Sequence, residues 1–213
     1  MAIGNPLRLL ITAGPTREPI DEVRFISNRS SGQMGLALAE AAHGAGHDVT
    51  LLLGPDIAPP RAANGLRVHR FGSTADLEAL LAEHFPHCDV LVMAAAVADY
   101  RPAQREAGKR ARGERWTIEL EPTPDLVAAI ARKKRADQKI VAFALESPQT
   151  LTERATEKLR RKGADAIVAN PLVTMESAQI EPTWITVAGQ CEAPGVMSKA
   201  AFAQWLLSRL GEL

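Results

Sequence analysis

Asn28-Arg29-Ser30-Ser31-Gly32-Gln33-Met34-Gly35 is the segment whose residue types point most directly to chemistry. Two hydroxyls and a glycine ahead of a helical pattern offer backbone N–H groups and the positive end of a helix dipole to an anion. Gly32 lets the backbone approach a phosphate, and Gly35 lets the helix pack close to a sheet. The plainer alternative is a serine N-cap followed by small residues for packing. Upstream, Arg17, Glu18, Asp21, Arg24 and Asn28 crowd a loop stiffened by Pro15 and Pro19. A second cluster, Ala94-Ala95-Ala96-Val97-Ala98-Asp99, places small residues and then an acid after an apolar run. Small residues there leave room for a flat ligand. Asp99 either accepts hydrogen bonds from that ligand, helps hold a metal, or caps a turn. Lys158 and Lys162 stand at i, i+4, on one helix face. Taken alone, such a basic stripe is a solvated surface.

The elements that must position these groups alternate between strand and helix. Buried strands are expected at Leu7–Ala13, Asp48–Leu53, Leu66–Phe71, Val90–Ala98, Lys139–Leu145, Asp165–Ala169 and Thr183–Val187. Trp116–Leu120 alternates like a half-exposed strand. Helices are expected over Gly32–Gly44, from a Ser73 or Thr74 cap to His84, and over Asp125–Lys134, Thr150–Lys162 and Lys199–Leu210. This order implies parallel βαβ units: a Rossmann-like, doubly wound α/β fold, mostly parallel, with helices on both faces. Residues 1–213 read as a single domain, in which the polar, basic stretch 101–115 forms a mobile arm. Ligands of such sheets sit at the carboxyl ends of the strands.

Several chemistries are excluded. No GxGxxG follows the first strand, and there is neither a Walker GxxxxGK[ST] pattern nor a GxSxG elbow. His84, His87 and Cys88 are close in sequence but have no second pair of metal ligands, which points to a structural role. The 213 residues carry 25 Lys+Arg against 25 Asp+Glu, with only three Trp, one Tyr and five Phe. That balance speaks against a nucleic-acid binder, which is usually basic and stacks bases on aromatic rings. The longest apolar run falls short of the ~20 residues of a membrane helix. With no signal-peptide pattern and no disulfide framework among two cysteines, a cytoplasmic location is expected.

Together these stretches resemble phosphopantothenate–cysteine ligase. The resemblance rests on Ile11–Gly35, Met93–Pro102, Lys109 ten residues beyond Asp99, Pro124–Val127, Val141–Ser147 and Lys158–Asn170, almost the whole chain. It implies that 4'-phosphopantothenate is activated by CTP to an acyl-cytidylate, which L-cysteine then converts to an amide. By position it implies catalytic roles for Asn28 and Lys109. Met93, Ala94, Ala95, Asp99, Lys109, Pro124, Asp125, Leu126, Val127, Phe143, Lys158 and Lys162 would form the nucleotide pocket. Arg24, Asn28, Ser30, Ser31 and Gly32 would contact phosphate and substrate. Mg²⁺ is expected with the triphosphate, its ligands unassigned, and no flavin is expected. The resemblance also implies a homodimer. In many bacteria this activity is fused behind a flavin-dependent decarboxylase, so here a separate phosphopantothenoylcysteine decarboxylase is a candidate partner; neither nucleic acid nor membrane is.

Three stretches depart from the family pattern: Lys109-Arg110-Ala111-Arg112, Ala142–Ser147 and Asn170-Pro171. They leave CTP, ATP and UTP open. Two rival readings remain: an NAD(P)-dependent oxidoreductase on a similar sheet, and a non-catalytic nucleotide-binding homologue.

Overall fold

Every residue of β1 (Arg8–Ala13) after Arg8 is buried. An apolar run achieves this as the inner strand of a sheet covered on both faces. The computed structural model describes residues 5–60, 65–113, 115–174 and 177–213 and contains such a sheet. Its other strands are β2 (Asp48–Leu53), β3 (Arg67–Arg70), β4 (Val90–Met93), β5 (Lys139–Glu146), β6 (Ala166–Pro171), β7 (Thr183–Thr186) and β8 (Cys191–Glu192). Their spatial order is β8-β7-β6-β5-β4-β1-β2-β3. Neighbours from β3 to β6 pair in parallel, and β7 and β8 are added antiparallel. The expected doubly wound α/β sheet is thus what forms, with its direction of winding reversing between β1 and β4.

Alternation along the strands divides the core. Leu9, Ile11, Val90 and Val92 pack beneath α1 (Gln33–Gly44) and α5 (Lys199–Leu210). Leu10, Leu91 and Met93 pack on the other face beneath α2 (Thr74–His84), α3 (Leu126–Ala131) and α4 (Leu151–Lys162). Ser73 and Asp76 close a capping box on α2, while Asp125 caps α3 and Ser198 caps α5. Neither serine caps α1. Its N-cap is Gly32, at φ 68°, and no side chain bonds the first turn. That left-handed geometry suits glycine.

Two sequence expectations need correction. The fourth strand ends at Met93 rather than Ala98, because residues 94–98 turn to bond the chain leaving β1. Trp116–Leu120 is not a strand: pairing begins at Leu120, where Leu120–Pro122 meets Tyr100–Pro102 in an antiparallel ribbon. Trp116 is instead covered by the guanidinium groups of Arg24 and Arg110, 5.1 and 4.9 Å from its ring centre. A second ribbon pairs Arg17–Pro19 with Phe25–Ser27, and a third pairs Gln179–Ile180 with Met197–Ser198. These short pairs lack the length that would make them visible as patterns. Cys88 is buried, which pushes its thiol up to about 12. Among the described residues no group of three or more His, Cys, Asp or Glu could hold a metal, and no helix is long and apolar enough to cross a membrane.

Gly35 sets how closely α1 approaches the sheet. A Cβ there would stand 2.5 Å from Ala13 Cβ, 2.7 Å from Thr12 O and 2.9 Å from Ala13 Cα. Gly35→Ala is expected to lower stability by about 1–3 kcal/mol through overpacking, although alanine favours a helix. Urea unfolding checks this; an unchanged midpoint would show that α1 is free to lift off β1.

Candidate active site

The main chain leaves β1 at Gly14, where φ is 90° and a Cβ would collide with Ile57 Cδ1 at 2.3 Å. Two backbone bonds tie this exit to that of β4: Ala96 N–H to Gly14 O (3.0 Å) and Thr16 N–H to Ala96 O (3.2 Å). Two buried threonines complete the joint. Thr12 Oγ1 accepts from Ala95 N–H at 2.9 Å, and Thr16 Oγ1 from Ala98 N–H at 3.0 Å. Small side chains at 94–98 therefore line a floor rather than fill it. Asn28 is pinned above them, its Nδ2 donating to Val97 O at 2.9 Å, which leaves its Oδ1 to a ligand. Thr123 continues the floor by bonding Ala98 O and Asp99 O, which brings Pro124 and the start of α3 alongside.

Above this floor lies a crevice of about 550 Å³ at the carboxyl ends of β1, β4, β5 and β6. Asn28, Ser30, Ser31 and Gly32 line one wall, Met93, Ala94 and Ala95 the base, and Asp99 the rim. Pro124, Asp125, Leu126 and Val127 close a second side with Phe143, Lys158 and Lys162. Arg24 and Lys109 do not line it. Arg24 donates to Arg110 O at 2.7 Å and lies 3.6 Å from Asp21. Lys109 is exposed on the 101–115 stretch, which docks on the Arg17–Ser27 ribbon loop through Glu106 N–H to Ile20 O (2.9 Å) and Glu22 N–H to Gly108 O (3.2 Å). Asp21 anchors both sides, accepting from Val23, Arg24 and Arg110 N–H groups. The first of these bonds does most to hold its carboxyl below the usual range. Arg29, Gln33, Arg161, Thr174, Gln179 and Lys199 also line the crevice, unassigned by sequence reasoning. So does Asn170, which sequence reasoning noted only as part of a departure. Their sequence context is that of ordinary helix starts and turns.

The electrostatics are asymmetric. The uncapped first turn of α1 presents free amides. On the opposite wall the lysines are already paired: Lys158 Nζ lies 2.5 Å from Glu146 Oε1, and Lys162 Nζ lies 2.8 Å from both oxygens of Asp125. Asp99 is an exposed carboxylate at the rim and, among the described residues, has no ion-pair partner.

The chain matches the model of the DNA/pantothenate metabolism flavoprotein C-terminal domain over residues 5–213. It belongs to this family. The chain is 44% identical over 173 residues to the coenzyme A biosynthesis bifunctional protein CoaBC of Mycobacterium tuberculosis, covering 76% of this chain and 41% of that protein. It is 45% identical over 169 residues to a cysteine/cysteine sulfinic acid decarboxylase of an unknown prokaryotic organism, covering 79% and 46%. It thus spans less than half the length of either relative. The crystal structure of the C-terminal domain of a CoaBC protein superposes with TM-score 0.84 at 35% identity, covering 100% of this chain and 97% of that one. The family resemblance and the fold read from the residues are both borne out.

Burial opposes ionisation of Asp125, but the Lys162 hydrogen bond, the Ala128 N–H and the nearby cations outweigh it and lower its pKa. A carboxylate lowered in the folded state adds stability above its unfolded pKa and loses it as pH falls through the folded value. Asp125→Asn is therefore expected to flatten the acid limb of the stability–pH curve between about pH 5 and pH 2, read by urea unfolding. An unchanged limb would show that the Lys162 pair adds nothing to folding.

Proposed function

We propose that the chain joins 4'-phosphopantothenate to L-cysteine at the expense of CTP, in the cytoplasm. One observation carries the reading. Most of the residues that the family resemblance assigns to substrate and nucleotide converge from separate segments on a single crevice. The 550 Å³ volume suits a nucleotide with part of an acyl chain.

In this reading the substrate carboxylate attacks the α-phosphorus of CTP, and the P–O bond to pyrophosphate breaks. The cysteine amine then attacks the acyl carbon of the mixed anhydride. CMP leaves with the C–O bonding electrons, and the amine proton passes to solvent. The amides of the α1 first turn receive phosphate oxygens, with Ser30, Ser31 and Gly32 beside them. Lys158 and Lys162 supply positive charge from the facing wall once they exchange carboxylates for phosphates. Asn28 Oδ1, which the Nδ2 bond to Val97 O leaves available, accepts from a hydroxyl or amide N–H of the acyl chain and so orients it. Asp99 is the rim carboxylate that, with the phosphates themselves, would hold Mg²⁺, an ion that needs only one or two protein carboxylates. Bound there, the ion would offset phosphate charge.

Lys109 and Arg24 enter through assembly. Val23, Phe25, Tyr100 and Leu120 are exposed apolar residues on or beside the two ribbons next to the arm. Such a patch favours a homodimer, in which the arm of one protomer covers the crevice of the other. Movement of the arm would bring Lys109 onto the phosphates. Cys88 and Cys191 are unpaired, in keeping with a reducing compartment.

Incubation with CTP, Mg²⁺, 4'-phosphopantothenate and cysteine should release CMP and pyrophosphate and form the amide. CTP, rather than NADPH, should raise the melting temperature. Stabilisation by NADPH alone would favour an oxidoreductase, and CTP binding without turnover a non-catalytic homologue. Lys109→Ala is expected to lower kcat by about 100-fold or more, the scale of losing one charge-stabilising group, in single-turnover assays. Unchanged turnover would remove Lys109 from the chemistry.

A further inference from the structure

The sheet-facing stripe of α5 runs Phe202, Ala203, Leu206 and Leu210, all buried. Counting back by three and four from Phe202 and Ala203 gives Lys199, the first helical residue on the same stripe. An apolar stripe over the strand ends thus terminates in an ammonium group, and Lys199 lines the crevice. No carboxylate lies within ion-pair distance of it among the described residues, unlike Lys158 and Lys162. Burial lowers its pKa.

At the carboxyl end of β6 an independent feature opens into the same crevice. Asn170 is 95% buried, lines the cavity, and has an Oδ1 with no hydrogen-bond partner among the described residues. An orphaned buried carbonyl oxygen is costly unless a ligand supplies a donor. In this orientation of the amide a phosphate oxygen would face another acceptor, whereas an amine supplies the donor directly. Apolar walls flank this region: Phe143, fixed edge-on by Phe202 at 6.5 Å between ring centres, with Leu145 and Ile180.

We propose that Asn170 and Lys199 form a subsite that reads the edge of the nucleobase, resting on the nucleotide reading above. Asn170 Oδ1 accepts from an exocyclic amine, and Lys199 donates to a ring carbonyl or ring nitrogen, over the face of Phe143. Phosphates have their own ground at the α1 first turn and at Lys158 and Lys162. This subsite therefore sets which base is accepted rather than how tightly the triphosphate is held. Cytosine offers the needed donor beside an acceptor. Uracil places an oxygen where the amine would be, and Asn170 must then turn its amide.

The test is calorimetric titration with CTP, UTP and the base-free probe ribose 5-triphosphate, on the parent, Asn170→Asp, Asn170→Ala and Lys199→Met. Melting curves confirm that the variants fold, and the near-isosteric Asn170→Asp covers the case in which Asn170→Ala does not. The parent should favour CTP over UTP by about tenfold or more. Asn170→Ala and Lys199→Met should bring that ratio towards one while leaving ribose 5-triphosphate affinity within about twofold. Asn170→Asp should weaken UTP further than CTP. A CTP:UTP ratio unchanged in folded variants would overturn the subsite and leave the ligase reading intact. Equal losses for CTP and the base-free probe would overturn it by placing Lys199 on a phosphate. Failure of the parent to bind any nucleotide would sink both, and is told apart because the parent itself is then silent.

Discussion

Two threonine hydroxyls hold the crevice open. Where β1 and β4 leave the sheet, one bridge between Pro15 and Ala96 still joins them, but the amides of Ala95 and Ala98 on either side of it lack a ladder acceptor. Buried amides cannot stay unpaired without cost. Thr12 and Thr16, themselves fully buried, accept from Ala95 and Ala98 at 2.9 and 3.0 Å. They do so from beneath, leaving the upper side of the floor bare. Thr16 is steadied in turn by Thr74, whose hydroxyl lies 3.2 Å away and donates to the buried Glu18 at 2.7 Å. Glu18 also receives the Thr74 N–H at 2.9 Å, so its charge meets the positive start of α2. The floor, the ribbon loop and a helix on the far face are one connected polar unit. Larger side chains at residues 94–98 would keep these bonds and still occupy the space above them.

The parts of this arrangement legible in the sequence are those with a period or a physical necessity behind them. Asp48–Leu53 and Lys199–Leu210 coincide with their expected bounds because long apolar patterns end at unambiguous breakers. Gly35 reads as a close-packing glycine and proves to be one. The i, i+4 spacing of Lys158 and Lys162 puts both on the crevice side of α4. Contacts between distant segments were less accessible. Apolar character through Ala98 looks like a continuing strand, since nothing in the residues announces that Thr12 and Thr16 have drawn the chain away. A serine before a helix looks like a cap, yet Gly32 takes that position and both serines stay at the crevice wall. Lys199 and Asn170 are commonplace in their local context. What distinguishes them is the absence of a partner for Asn170 Oδ1 and for the Lys199 ammonium among the described residues, a property of the fold rather than of any window of sequence.

In the proposed function a chain of zero formal charge accepts a polyanion, and local pairing resolves the conflict. Fixed unpaired lysines on the crevice wall would repel one another and raise the free energy of the empty protein. Lys158 with Glu146 and Lys162 with Asp125 avoid that. At α4 a triphosphate would compete with two carboxylates, whereas at the uncapped α1 turn it would meet free amides. Competition of this kind lowers the affinity for any single anion and raises the demand on geometry, because only a ligand reaching both walls recovers what the ion pairs lose. Inorganic phosphate reaches one wall. In the proposed reading a nucleoside triphosphate, with its base against Phe143 and its phosphates between α1 and α4, would span both, so the paired lysines would favour the long ligand over the abundant short one.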